Sequence, residues 1–281
     1  MEKIGKLYLV ATPIGNLDDI TFRAVKVLNE VDVIAAEDTR HSLKLLNHLE
    51  ISKPLISYHR HNEENKTGLL INKLLNGENI AVITDAGTPA ISDPGEEVVK
   101  EAIKNNIEII PVPGACALIN ALIVSGLDTR QFAFYGFLPL NKKLRKNIFE
   151  ELKKENKTII LYEAPHKISQ TLKDIYTELG NVNIVIAREL TKIHEEFIRG
   201  TVDEIINNYP ELKGEIIILI EGNKKINNED EMLEILNKMT IDEHYDFYKK
   251  QNLEKKEIIK KIAKDRNVSK NEIYMKLINK D

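Results

Sequence analysis

Two polar clusters and one loop of small residues carry most of the chemistry available in this sequence. Glu37-Asp38-Thr39-Arg40 and Arg188-Glu189-Leu190-Thr191-Lys192, the second running on to Glu195 and Glu196, each set carboxylates within a few positions of a guanidinium or ammonium group. Such groups can accept a proton or hold oxyanions by charge-assisted hydrogen bonds. Between the clusters lies Thr84-Asp-Ala-Gly-Thr-Pro-Ala-Ile-Ser-Asp-Pro-Gly95. Ala86, Gly87, Thr88 and Ala90 leave its backbone uncovered, so a ligand can meet N–H and C=O groups directly. The loop is longer than the usual strand-to-helix connection of about 2 to 6 residues, which points to a ligand site.

The elements that must position these groups follow from apolar runs and turn residues. Lys6–Ala11, Asp32–Ala36, Leu55–Tyr58, Ala81–Ile83 and Ile107–Val112 read as short buried strands. After each comes a polar or small-residue loop and then a helix, the rhythm of a parallel α/β sheet with its ligand edge at the strands' carboxyl ends. From Phe132 the pattern restarts with the aromatic run Phe132–Leu138, then Lys157–Tyr162, Asn183–Ala187 and Glu215–Glu221, a second sheet expected to be mixed or antiparallel. The expected organisation is an α/β domain over 1–112, a second over 113–223, and a linker with a helical tail over 224–281. In the tail, Leu253–Lys264 has helical periodicity and Ser269-Lys-Asn-Glu272 fits a capping box. A helix-turn-helix and a helical hairpin packed on the main body both remain open.

Composition narrows the class. The 281 residues are 42% hydrophobic with a net charge of −4, so any nucleic-acid partner has to be met by local positive charge. No apolar run reaches the length of a membrane span, and the first residues lack a signal-peptide pattern, so a cytoplasmic protein without membrane attachment is expected. The single cysteine, Cys116, has apolar neighbours and reads as a small buried residue. His59 and His61 flank Arg60 without a third ligand, so no metal is expected. The glycine-rich dinucleotide and P-loop fingerprints, H-E-x-x-H and G-x-S-x-G do not occur. An α/β enzyme with a backbone-lined ligand site follows from these residues; a reaction does not.

Six motifs narrow the reaction. Val10-Ala-Thr-Pro-Ile-Gly-Asn-Leu17, Ala36-Glu-Asp-Thr-Arg40, Thr84-Asp-Ala-Gly-Thr-Pro89, Ser92-Asp-Pro-Gly95, Tyr162-Glu-Ala-Pro-His166 and Arg188-Glu-Leu-Thr-Lys192 resemble the ribosomal RNA small subunit methyltransferase I family, in register from about residue 5 to 222. That resemblance implies a two-domain tetrapyrrole-methylase-like (class III methyltransferase) fold, usually in a homodimer, with S-adenosylmethionine bound between the domains. It implies 2′-O-methylation of a cytidine in the decoding region of 16S rRNA, with the small ribosomal subunit as partner. By matching motifs, the methyl donor would be held by Thr12, Pro13 and Gly15, by Gly87, Thr88, Ala90 and Ile91, by Cys116 and Ala117, and by Ala164 and Ala187. Lys167 stands where family members often carry Arg, which keeps the charge but loses the planar fork.

Methyl transfer to a ribose hydroxyl needs alignment of oxygen, methyl carbon and sulfur, and removal of a proton. Glu37, Asp38, Arg40, Glu189, Lys192 and Glu195 are placed at the acceptor side on this reading, the acids as bases and the cations on phosphate or ribose oxygens. Two other readings keep the fold. A tetrapyrrole methylase would share the donor loops without needing the basic segment Lys142–Lys146, and a non-catalytic RNA-binding assembly factor would need no intact donor loops.

Overall fold

A computed structural model of the chain describes residues 4–223, 232–233, 235–251 and 253–278. The chain divides into two compact units: Met1–Lys153 with Lys157–Glu221, and Lys154–Asn156 with Gly222–Asp281. The expected linker at 224–230 lies outside the described residues.

The larger unit holds two five-stranded sheets. β1 (Leu7–Val10), β2 (Val33–Ala36), β3 (Leu55–Ser57), β4 (Ile80–Ile83) and β5 (Ile109–Val112) form the first, in the order β3-β2-β4-β1-β5. Every pairing in it is parallel. β2 and β4 are buried at all four positions, as runs without a polar face must be. α3 (Glu63–Leu75) and α4 (Glu96–Lys104) cover one face through Leu70, Leu74, Val98 and Ala102. α1 (Phe22–Glu30) and α2 (Thr39–His48) cover the other through Ala24, Leu28 and Leu46. Parallel strands put their carboxyl ends on one edge, so the loops after β1, β2, β4 and β5 emerge together.

The second sheet is mixed, as expected, with order β6-β7-β10-β8-β9. β6 (Phe132–Phe137) runs parallel to β7 (Thr158–Glu163), and β10 (Ile216–Ile220) lies antiparallel between β7 and β8 (Asn183–Arg188). The last apolar run in this unit, Glu215–Glu221, therefore becomes its central strand, fully buried. One strand was not expected: β9 (Glu196–Thr201) pairs antiparallel with β8, so the polar cluster after Arg188 is the turn of a hairpin. Its run Glu-Phe-Ile-Arg-Gly-Thr carries only two apolar residues, side by side, too few to stand out, as an edge strand allows. α6 (Lys142–Leu152), α7 (Ile168–Leu179) and α8 (Val202–Asn208) pack on the outer face through Phe149, Leu172 and Ile205. Ile160, Val185, Ala187, Ile217 and Leu219 on the inner face pack with Leu118, Ala121 and Leu122 of α5 (Ala117–Ile123) and with Ile14 from the loop after β1.

The tail unit contains more than two helices. α9 (Ile241–Lys249) precedes α10 (Lys255–Asp265) and α11 (Lys270–Ile278), and Tyr248, Ile258, Ile262 and Ile273 form a core of their own. A simple helical hairpin is thus too small a description. The Ser269 hydroxyl does accept the Glu272 N–H (3.2 Å), as a capping residue should. At the centre sits His244, with no exposed surface. Its Nδ1 accepts from Arg266 Nε (3.1 Å), and its Nε2 lies 3.3 Å from Asp265 Oδ2.

Burial, then the Arg266 charge, hold the His244 pKa below 6.5. The unfolded tail then binds a proton that the folded tail refuses, so stability is present above pH 6.5 and falls as pH drops toward the folded value. Hydrogen exchange, corrected for intrinsic rates, is expected to be faster in Ile241–Lys249 and Lys255–Asp265 at pH 5 than at pH 7.5. Equal protection at both would contradict this.

Candidate active site

At the carboxyl edge of the first sheet, two loops bind one another before either meets a ligand. Thr12 donates its N–H to the Gly87 carbonyl (2.9 Å), Gly87 returns its own to Thr12 O (3.1 Å), and the buried Thr12 hydroxyl reaches Thr84 O (3.2 Å). Thr88 Oγ1 donates to the Ala115 carbonyl (3.0 Å), adding the segment before α5. The loop after β1 also meets the second sheet: a Cβ built on Gly15 would fall 2.5 Å from Lys192 Cγ and 2.8 Å from the Leu190 carbonyl. Only a residue without a side chain lets the chain pass so close to that hairpin turn.

A cavity of about 390 Å³ opens between these loops and the second sheet. Of the residues expected to hold the donor, Gly87, Thr88, Ile91, Cys116, Ala117 and Ala164 line it. The other five do not line it. Thr12 braces Gly87, Pro13 follows it half-buried, the exposed Gly15 lies against the 190–192 turn, and Ala187 is buried as the cross-strand neighbour of Ile217, which lines the cavity. Ala90 sits at φ +67° and donates to Pro94 O (3.1 Å), closing the loop on itself. Cys116 differs from expectation: it is only half-buried, because at the start of α5 it lines the open cavity.

The acceptor-side clusters reach this cavity through neighbours. Glu37 lies in an acidic group with Asp85 and Asp93, and only Asp93 lines the cavity. Burial, then the Glu37 charge, push Asp93 up to about 6, and burial, then Asp85, raise Glu37. Asp85 accepts the Asp38 N–H (3.1 Å), and Arg60 donates to the Ser92 carbonyl beside Asp93. Asp38 caps α2 and pairs with the exposed Arg40 (3.0 Å), whose hydrogen bonds hold it down to about 2. On the second sheet, Glu189 accepts the Glu215 N–H (2.9 Å), and Lys192 Nζ bridges Glu189 (3.1 Å) and Glu215 (3.2 Å). Glu215 itself lines the cavity. Glu195 accepts the Thr191 N–H (2.6 Å) and so ties the hairpin turn together.

Sequence reasoning missed several lining residues. Ser92 and Asp93 stand inside a motif already noted, and their turn chemistry hid a carboxylate aimed at the cavity. Tyr162, one residue before the end of β7, and Phe137, which ends β6, have ring centroids 5.6 Å apart, and burial, then Cys116, push the Tyr162 hydroxyl up to about 12. Leu190 stands inside the Arg188–Lys192 motif but its charged neighbours mask it, and Glu215 and Ile217 gave no site signal, because their position depends on β10 being central. His59 and His61 face each other edge to ring at 6.0 Å, and among the described residues no three metal-ligating side chains come together. The site therefore joins backbone and apolar walls with three acidic residues, Asp93, Glu215 and the buried Glu163, whose carboxylate is taken up by the Ala164 N–H and the Thr171 hydroxyl: a place for a small ligand with apolar parts and a cationic centre.

Residues 6–206 match the family of Tetrapyrrole (Corrin/Porphyrin) Methylases. The fold is that of uroporphyrin-III C-methyltransferase from Thermus thermophilus, solved with S-adenyl homocysteine (TM-score 0.56, 18% identity, 77% of this chain and 97% of that one). Proteins named ribosomal RNA small subunit methyltransferase I are much more similar. That of Halalkalibacterium halodurans is 50% identical over 96% of this chain and 93% of its own length, and that of Bacillus subtilis is 48% identical with the same coverage. The chain belongs to the ribosomal RNA small subunit methyltransferase I family.

Asp93 supplies a test of the site's electrostatics. Its folded pKa of about 6 lies above the ordinary 3.8, so folding is penalised where the folded carboxylate must ionise. The penalty is absent below about pH 3.8, grows through the interval and is complete above about 6. Asp93→Asn is expected to be more stable than the parent by about 1–2 kcal/mol at pH 8, after allowance for solvent screening, and equal to it near pH 4. Denaturant melts at the two pH values measure this, and a pH-independent difference would refute the raised pKa.

Proposed function

We propose that this protein transfers a methyl group from S-adenosylmethionine to the 2′-hydroxyl of a cytidine in the decoding region of 16S rRNA, acting on the small ribosomal subunit in the cytoplasm. The observation that carries the donor site is the backbone-lined cavity at Ala86–Thr88, faced by Asp93 and Glu215. The RNA substrate is supported by relatives of that name at 50% and 48% identity.

The residues fit such a donor. Ile14, Ile91, Leu190 and Ile217 give apolar surface for an adenosine, and Ala86, Gly87, Ala117 and Ala164 leave main chain within reach of its polar edges. S-adenosylmethionine, when bound, supplies an electrophilic methyl on a positively charged sulfur. Asp93 and Glu215 favour a cation at the rim and lose that attraction once the sulfur is neutral, so these carboxylates hold donor more tightly than product. Above pH 6 Asp93 is an ionised carboxylate more basic than an ordinary one, suited to take the ribose proton, and Glu37 maintains that basicity. Lys192 holds Glu215 and Glu189 in place across the cavity.

A homodimer is part of the same proposal. Phe22 and Ile193 are each 97% exposed and Ile123 64%, apolar side chains that a partner surface would cover.

Gly87 at φ +85°, with Ile14 Cγ2 3.2 Å from a built Cβ, makes Gly87→Val costly to the fold as well as to the site. Ala117→Leu is the cleaner probe. It should overfill the cavity by about 1–3 kcal/mol, cutting donor affinity about 10- to 100-fold in calorimetry with little change in Tm. Normal donor binding would remove this cavity from the donor site. Asp93→Asn should slow single-turnover transfer at saturating donor about 10²- to 10⁴-fold, with a much smaller loss of donor affinity from the missing rim charge. Mapping the nucleotide methylated when the purified chain and donor act on small subunits from cells lacking it tests the acceptor, and a base or a different ribose would overturn the assignment.

A further inference from the structure

A second cavity, of about 400 Å³, lies on the outer face of the second sheet between α6 and α7. It shares two chain segments with the first. β6 ends at Phe137 on the first cavity and continues to Pro139 and Leu140 on the second. The loop after β7 puts Ala164 and Pro165 on the first and Lys167 on the second. A polar relay joins them as well: the buried Glu163 accepts the Thr171 hydroxyl (2.5 Å), and Thr171 Oγ1 accepts from Arg145 (2.8 Å).

The charge of the outer groove is one-sided. Both acids that line it are already paired, Asp174 with Arg145 (2.7 Å) and Glu178 with Lys153 (2.6 Å). That leaves Lys142, Lys146 and Lys167 facing the groove without an opposing carboxylate among the described residues. In a chain of net charge −4, three such ammonium groups beside Leu140, which is 76% exposed, and Phe137, which is 56% exposed, form a local anion site with apolar ribs. Single-stranded nucleic acid has that chemistry, with phosphates at regular intervals and base and sugar faces between them.

We propose that the α6–α7 groove binds the phosphodiester backbone of the substrate RNA next to the nucleotide being methylated. Phe137, at the junction of the two cavities, meets a base face, and Lys142, Lys146 and Lys167 meet successive phosphates. The inference rests on an RNA substrate at the first cavity. Arg145, by contrast, shapes the groove wall, since its guanidinium is committed to Asp174 and Thr171.

The test compares the parent chain with Lys142→Ser/Lys146→Ser/Lys167→Ser and with the corresponding triple Arg variant, using small subunits lacking the modification. The Ser variant should raise KM for the subunit about 10- to 100-fold at moderate salt while kcat at saturation, donor affinity and Tm stay near parental. Its log K against log salt plot should be shallower by about 2, from three lost contacts at about 0.7 each. The Arg variant, which keeps the charges, should restore both. An unchanged KM and salt slope in the Ser variant, with the parent active on the subunit, would overturn the groove proposal and leave the RNA reading intact. A parent that neither binds nor methylates the subunit would overturn both. A Ser variant that loses binding of inorganic pyrophosphate but not of the subunit would make the groove a small-anion site and refute it.

Discussion

The reciprocal pair of hydrogen bonds between Thr12 and Gly87 is the contact on which the site depends. It ties the loop after β1 to the loop after β4, and the Thr12 hydroxyl locks the same junction from inside. With those loops fixed, Ile14 can join the inner core of the second sheet and Gly15 can lie against the Leu190–Lys192 turn. The cavity is what is left between two sheets whose loops interlock. The junction is held by main-chain bonding in a buried place, where each unmade bond would be expensive. Small residues at Ala86–Thr88, Ala117 and Ala164 leave the room that Ile14, Ile91 and Ile217 do not fill.

Electrostatics sets a second constraint. Asp93, Glu37 and Asp85 crowd together where burial already disfavours charge, so the site holds a carboxylate poised near neutrality. A cationic ligand relieves that strain, and a neutral one does not. On the opposite wall, Lys192 Nζ bridges Glu189 and Glu215 and fixes where Glu215 stands.

The clusters that stood out by residue type occupy supporting positions. Glu37 acts on the cavity through Asp93, and Glu189 and Lys192 act through Glu215, while Asp38 and Arg40 are occupied with the start of α2. Charged residues near a strand end mark the site's neighbourhood well. Which of them faces the ligand depends on side-chain direction, which sequence spacing does not encode in a loop.

The sequence by itself determined the parallel first sheet, because continuous apolar runs such as Ile80–Ile83 can be stable only when both faces are covered. It also made legible the long loop after β4, whose turn-formers and small residues leave the backbone uncovered at the sheet's carboxyl edge. The resemblance carried by six motifs supplied the family and six of the residues that line the cavity. Tertiary structure alone decided that β10, last in its unit, lies at the centre of its sheet, and that β9 closes a hairpin across the polar cluster. It decided that Asp93, Glu215 and Tyr162 face the cavity and that Ala187 does not. It decided, too, that Lys142, Lys146 and Lys167, separated by up to a whole β-strand and loop, share one groove. The physical reason is common to all of these: periodicity records whether a residue is covered, and only long-range pairing records by what.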